Sequence, residues 1–392
     1  MELPLASWAR QLQPSAIQDM LQNITKPGIL SLALGLPAAE LFPTQGMAEA
    51  AARVLADQAS ALQYGASLLP LREQVVALMA RRGVRCEPDQ IFLTTGGQQG
   101  MSLLARLMLE PGQPVMMEDR IYSGFQQVLE PFQPRRVVVR TDPRTGIDVD
   151  AVEERLRAGE KPAFLYAMSD AHNPLGVSLA QRQRERLAAL AREYRMPIIE
   201  DDAYGFLQYE EQSLAPIRGH EDRWVFYVGS FSKILAPALR VGWLVVPREM
   251  IPRLATMKES SDIDTTTFTM RMINAFLASG QFETHLERLR GAYRERRDAM
   301  LRALEAHMPR GTVWARPSAG MFVWVELPEG ADTLKLLAKS LELEKVAYLP
   351  GQAFSVPGGR SAANGMRLNF SNCEPARIEE GVARLGRVLQ RG

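Results

Sequence analysis

The sequence predicts an α/β protein with a large domain, a mostly parallel seven-stranded sheet flanked by helices, and a smaller α+β domain. Three observations lead there. The 392 residues are enough for two domains, and 46% hydrophobic with 23% charged residues is ordinary globular composition. Between residues 91 and 246, short apolar runs alternate with helical patterns, the signature of strands joined by crossover helices. Beyond residue 290 the pattern changes to a long charged helix followed by strands of a separate small sheet.

The seven strand candidates are Ile91–Thr94, Pro114–Glu118, Arg136–Arg140, Ala163–Met168, Pro197–Glu200, Trp224–Gly229 and Val241–Val246. Such continuous apolar runs suit strands covered on both faces. Gln181–Arg195 reads as an intervening helix, with Leu187, Leu190, Ala191 and Tyr194 on one face. In the last hundred residues, Gly291–His307 reads as the long helix. Met321–Glu326, Val346–Leu349 and Met366–Phe370 read as strands of the second sheet. The expected division is 1–45 as an N-terminal arm and part of the small domain, 46–290 as the large domain, and 291–392 as the C-terminal small domain. The arm, rich in Pro and Gly around Lys26–Pro43, is expected to pack on the small domain or on a partner subunit.

Lysine plus arginine total 46 against 45 acidic residues, a net charge of +1, which provides no bulk field for nucleic acid or an anionic membrane. The two cysteines, Cys86 and Cys373, form no C-x-x-C or Cys/His cluster, so neither a disulfide framework nor a metal site is expected. The first residues lack a secretory pattern, and no run of about 18 apolar residues spans a bilayer. A soluble cytoplasmic protein is the expectation. Only seven lysines occur, so chemistry that needs an amine has few candidates.

Four features fall on strand ends, where parallel sheets gather their ligand sites. Thr94–Gly100 joins a strand to a helix, and its glycines and free amides suit a phosphate. Ala171-His172-Asn173-Pro174-Leu175-Gly176 is a turn that presents an amide side chain. Glu200-Asp201-Asp202-Ala203-Tyr204 ends an apolar strand; one aspartate suffices to cap a helix, which leaves the other for the site. Ser230-Phe231-Ser232-Lys233, with Arg240 seven residues on, places an amine before an apolar run, where desolvation and nearby cations favour imine chemistry. An amine, a carboxylate, a phenol, an amide and a phosphate cradle together fit pyridoxal 5′-phosphate.

These motifs, with Gly35-Leu36-Pro37, Leu41-Phe42-Pro43, Leu62-Gln63-Tyr64 and Met366-Arg367-Leu368-Asn369, run in an order that resembles class I/II aminotransferases of the fold-type-I pyridoxal-phosphate group. The resemblance covers nearly the whole chain and is nearest to the 2-aminoadipate/aromatic aminotransferase branch. It implies an aminotransferase that moves an amino group from an L-amino acid to a 2-oxo acid, with 2-oxoglutarate the expected acceptor, by a ping-pong cycle. Lys233 would form the internal aldimine and shuttle the proton between Cα and C4′. Asp201 would pair with the pyridine nitrogen, Tyr204 and Asn173 would bind the ring oxygen, and Tyr122 would stack on the ring. Gly97, Gln98, Ser230, Ser232 and Arg240 would hold the phosphate, joined by Tyr64 from the other subunit of a homodimer. Arg367, Asn173 and Gly35 would bind substrate, Arg367 taking the α-carboxylate in a bidentate pair.

The chain departs from this family at Ser169-Asp170-Ala171-His172, where a Gln usually precedes Asn-Pro, and at Leu175, where a Thr usually follows. The loop after Tyr64 is also short. His172 is either a proton-transfer group or a turn residue. Decarboxylation, β-elimination and oxidation share the same cofactor chemistry and remain alternatives. A pyridoxal-phosphate-binding regulatory module is a rival from another class, disfavoured by neutral charge and little room before Gly28. Side-chain specificity is expected in residues 12–41, with Asp19, Gln22, Asn23 and Lys26 as polar candidates.

Overall fold

Period-two alternation divides the central strands between two cores. Val115, Met117, Tyr166, Ile199 and Phe226 face one core, while Met116, Leu165, Ile198 and Val225 face the other. Both faces of the sheet are therefore covered, which is why each strand reads as an unbroken apolar run. The computed structural model describes residues 4–10, 28–65, 67–210, 213–360 and 362–391.

All seven central strands are present: β1 (Ile91–Thr94), β2 (Pro114–Glu118), β3 (Arg135–Val139), β4 (Leu165–Ala167), β5 (Ile198–Asp201), β6 (Val225–Ser230) and β7 (Gly242–Val245). They lie in the order β1-β7-β6-β5-β4-β2-β3. Neighbours from β6 through β3 pair in parallel, whereas β7 is antiparallel to both β1 and β6. Its first residue, Gly242, pairs with Thr94 on one side and Ser230 on the other.

Helix α1 (Gly97–Met108) follows β1 and buries Met101, Leu103, Leu104 and Ala105. Helix α2 (Gln181–Tyr194) buries Leu187, Leu190 and Ala191 on the opposite face, as its spacing requires. Helix α3 (Ile251–Asp262) returns beside α1. The long helix α4 runs over Gln281–His307, beginning ten residues before the expected start at Gly291. Its buried stripe already starts at Phe282, Leu286 and Leu289, and Gly291 is an interior residue of it. The expected boundary at 290 thus falls inside one continuous helix. Helix α5 (Pro375–Arg391) packs along α4.

A second sheet carries β8 (Val313–Trp314), β9 (Phe322–Glu326), β10 (Leu349–Pro350) and β11 (Gly365–Asn369) in the antiparallel order β8-β9-β11-β10. The expected strand Val346–Leu349 is divided. Val346–Ala347 pairs in parallel with Leu30–Ser31, and only Leu349–Pro350 joins this sheet. Tyr348 marks the changeover, its phenol donating to the Thr333 carbonyl at 2.6 Å. Residues 30–32 are bonded between Val346–Ala347 and the end of β11, Leu32 N to Ala347 O and Asn369 N to Leu32 O. The segment from Ala33 to Leu36 then continues towards β6. No helix among the described residues is long and apolar enough to cross a membrane.

Candidate active site

The turns after β1, β4, β5 and β6 open on one cavity of ≈ 400 Å³. The first turn contributes Gly97 and Gln98, the second Asn173, the third Asp201 and Tyr204, and the fourth Ser230, Ser232, Lys233 and Arg240. Gly35, Tyr122 and Arg367 complete the wall. Of the expected site residues, Tyr64 alone lies elsewhere: it is 77% exposed and borders grooves beside Asp264. Asp19, Gln22, Asn23 and Lys26 lie outside the described residues.

Lys233 is aimed inward by its neighbours, because Phe231, Ile234 and Leu235 are buried and Phe231 packs on Trp243. Its Nζ donates to the Gly35 carbonyl at 2.8 Å. Removal from water, with the Arg367 and Arg240 guanidinium groups nearby, pushes the ammonium pKa down to about 8. The Gly35 segment lies against the Phe322 ring, where a Cβ would come within 2.7 Å.

The two adjacent aspartates have separate tasks. Asp202 turns away from the cavity, accepting from Gly205 N at 2.6 Å and Tyr227 Oη at 2.9 Å and pairing with Arg82. Asp201 faces the cavity and accepts from Tyr166 Oη at 2.7 Å. Burial raises its carboxyl pKa to about 6, opposed by Tyr166. Tyr166 itself is fixed by stacking on Phe125, with ring centroids 3.9 Å apart.

Arg367 reaches in from β11. Nη1 donates to Asn173 Oδ1 and Nη2 to Ala33 O, both at 2.7 Å. The guanidinium lies over Phe322 at 4.0 Å and near Phe354 at 4.9 Å. It has no carboxylate partner among the described residues, and its buried Nε has no hydrogen-bond partner. Desolvation lowers its pKa to about 10, with Tyr204 and Tyr122 opposing. Burial raises the Tyr204 phenol, against Arg367 and a hydrogen bond with Asn173. Tyr122 is raised for the same reason, desolvation.

The turn after β1 forms a cradle. Gly96 has φ +80°, and a Cβ there would lie 2.4 Å from Arg240 Nη2. The first amides of α1 have no acceptor within the helix and open on this space. Ser232 N donates to Ser230 Oγ at 3.1 Å, and Arg240 Nη2 donates to Thr95 O at 3.3 Å. Gln98 donates to Gly124 O, while its buried Oε1 has no partner. An amine, a buried carboxylate, a phenol and amide, and a cationic cradle that a Cβ would fill form the donor set that pyridoxal phosphate requires. The residues fit that group.

Asp170 and His172, two of the departures from the family, lie away from the cavity. Asp170 accepts from Arg82, Arg184 and Gln208 in a buried network that includes Asp202. Burial opposes its charge, but the two arginines hold its pKa below the ordinary range. His172 is 1% exposed, within 3.0 Å of Glu118 Oε2, and accepts from Leu175 N on Nδ1, so it serves the turn that carries Asn173. Sequence reasoning missed Tyr166, Phe322 and Phe354. Tyr166 had a signal, since a phenol in a fully buried strand needs a partner, and the neighbouring strand ends in a carboxylate. The two phenylalanines had none, because they reach Arg367 only through folding of the second sheet.

Comparison with known proteins gives concordant matches. The family described as Aminotransferase class I and II matches residues 28–385. A 2-aminoadipate transaminase from Thermus thermophilus is 39% identical over 97% of this chain and 95% of its own length. Aromatic-amino-acid aminotransferase 1 from Thermococcus litoralis is 36% identical over 97% of this chain and 92% of its own. The solved alpha-aminoadipate aminotransferase from Thermus thermophilus, complexed with N-(5′-phosphopyridoxyl)-L-leucine, superimposes with a TM-score of 0.90 at 37% identity, covering 99% of this chain and 97% of that one.

Proposed function

The chain belongs to the class I and II aminotransferases, enzymes that work with pyridoxal 5′-phosphate, and on that premise we propose that it transfers the amino group of an L-amino acid to 2-oxoglutarate in two half-reactions. When bound, the cofactor supplies an aldehyde and an electron-withdrawing ring that stabilises negative charge at the substrate Cα.

The chain's own residues supply the rest. Lys233, with a pKa of about 8, gives up its proton near neutral pH far more readily than an ordinary lysine, so it would act as nucleophile and take and return a proton. Asp201, held by Tyr166, would face the ring nitrogen, and its carboxylate would keep that nitrogen protonated. Tyr204 and Asn173 would bind the ring oxygen, and Tyr122 would cover the ring. Gly97, Gln98, Ser230, Ser232 and Arg240 would hold the phosphate. Arg367 would bind the substrate carboxylate with Asn173 and the Gly35 backbone beside it, and the Phe322 and Phe354 rings would exclude water there.

The named relatives act on 2-aminoadipate and aromatic amino acids, and we place the donor in that set. Exposed Tyr64 supports a homodimer in which it completes the phosphate site of a second copy, and we place the enzyme in the cytoplasm. One observation carries the reading: the Lys233 amine and the Asp201 and Arg367 side chains line the same cavity. The test is the visible absorption of purified protein. A cofactor band should shift when 2-aminoadipate or an aromatic amino acid is added. Lys233→Ala should lose the response and turnover; normal turnover in that variant overturns the proposal.

A further inference from the structure

We propose that Lys258 and Asp262 act as a positioning pair for the anion-binding turn Thr95–Gln99, holding it in the form that lets Gly97, Gln98 and Arg240 receive a phosphate. This rests on the reading of that turn given above.

Both residues lie on α3, outside the cavity. Lys258 is 6% exposed although its helix borders solvent at Ser260 and Ser261. A buried ammonium on a surface helix needs partners beyond its own helix, since an exposed i,i+4 ion pair contributes little by itself. Its Nζ reaches Asp262 Oδ1 at 2.8 Å, Asp262 Oδ2 at 3.0 Å, Gln99 Oε1 at 3.0 Å and Thr95 Oγ1 at 3.3 Å. Asp262 Oδ2 accepts from Thr95 Oγ1 and from Gln99 Nε2, each at 2.6 Å. Gln99 Oε1 in turn accepts from Thr95 N at 2.7 Å.

Every polar group of Thr95 is thus engaged. Its hydroxyl is held from α3, its amide is held by Gln99 of α1, itself bonded to Asp262, and its carbonyl accepts from Arg240. Arg240 has no carboxylate partner among the described residues; its other contacts are Ser232 Oγ at 3.5 Å and Pro237 O at 3.4 Å. Thr95 is therefore the shortest of its three anchors, and Thr95 is placed by Asp262. The next residue, Gly96, is the one whose missing Cβ admits the guanidinium. A rotation of Thr95 would move both.

A second observation points the same way. Ile263, directly after Asp262, has φ +64° and is 59% exposed. A β-branched residue is strained in that region, and no burial compensates it. The strain is retained where Asp262 and Thr265 are both drawn to Thr95, the hydroxyls of Thr265 and Thr95 lying 3.3 Å apart. Arg106 Nη1 on α1 clips Ser261 Oγ at 2.6 Å, a further tie between the two helices.

The test compares two ligands that differ only in the phosphate. Cofactor-stripped full-length protein is titrated with pyridoxal 5′-phosphate and with pyridoxal. Asp262→Ala and Lys258→Met should each weaken pyridoxal phosphate binding about tenfold, the scale of one lost anchor, and change pyridoxal binding less than about twofold. Asp262→Asn, which keeps an acceptor for Thr95, should retain most of the preference. Equal weakening towards both ligands means general loosening and overturns the proposal. Arg240→Ala serves as reference. If it abolishes the preference while Asp262→Ala and Lys258→Met leave it intact, the cradle reading stands and the positioning pair is refuted. If Arg240→Ala has no effect, the cradle reading itself fails and the pair's role falls with it.

Discussion

Tyr166 donates its phenol to Asp201 across 2.7 Å from the strand next to it. The bond favours the charged carboxylate against the desolvation that raises its pKa to about 6. Tyr166→Phe removes it and raises that pKa further. More of the carboxyl is then protonated at neutral pH, so activity falls on the acid side. The acid limb of the pH–rate profile should move up by roughly one unit, the equivalent of one net hydrogen bond, with activity recovering above it. Steady-state rates across pH check this; an unmoved limb contradicts it.

Arg367 is a buried cation with a planar fork and no carboxylate partner among the described residues. Arg367→Lys keeps charge but loses the fork and the face that lies on Phe322. KM for the amino donor should rise about 10- to 100-fold, the scale of a charged hydrogen bond. Cofactor affinity should stay within about twofold. Kinetics with a single donor, alongside cofactor titration, separate the two.

Asp170 is one of two carboxylates that neutralise buried Arg82 and Arg184. Asp170→Ala leaves two buried cations against one anion and should destabilise the fold by about 3–5 kcal/mol. Denaturant unfolding measures it. Breaking the surface pair Arg135–Glu160 should change the midpoint little.

Gly96 lies at φ +80° with Arg240 where a side chain would be. Gly96→Ala both strains the backbone and displaces the guanidinium. The variant should lose pyridoxal phosphate readily on gel filtration, while an alanine at Gly112, also at positive φ but with open space around it, should retain it. Absorbance of the eluted protein reports the result.

The central strands were legible because each is buried on both faces, and an apolar run needs no partner information to be seen. The turn residues were legible because Lys233, Asp201 and Asn173 are polar groups at the ends of such runs. The start of α4 was misread at Gly291 because charge masks its stripe, and the stripe at Phe282 and Leu286 is visible only once its packing is known. The split at Tyr348 was hidden for a related reason, since Val346–Ala347 pairs with Leu30–Ser31 more than three hundred residues away in sequence. Nothing local encodes such a pairing. The Lys258–Asp262 pair escaped likewise, as an i,i+4 spacing on a helix looks the same whether it serves solvent or a neighbouring turn.

The reversal of β7 settles which rim of the sheet receives Arg240. A single residue, Val241, separates that arginine from Gly242, whose neighbours Thr94 and Ser230 are the last residues of their strands. Were Gly242–Val245 to run with its neighbours, its entry point would lie at the opposite rim, about 10–14 Å away at 3.4 Å per residue. The guanidinium would then be stranded behind the sheet from the amine seven positions earlier in the chain. A single antiparallel strand lets one short loop deliver amine and cation to the same doorway, so the direction of travel of four residues decides whether the cavity is assembled at all.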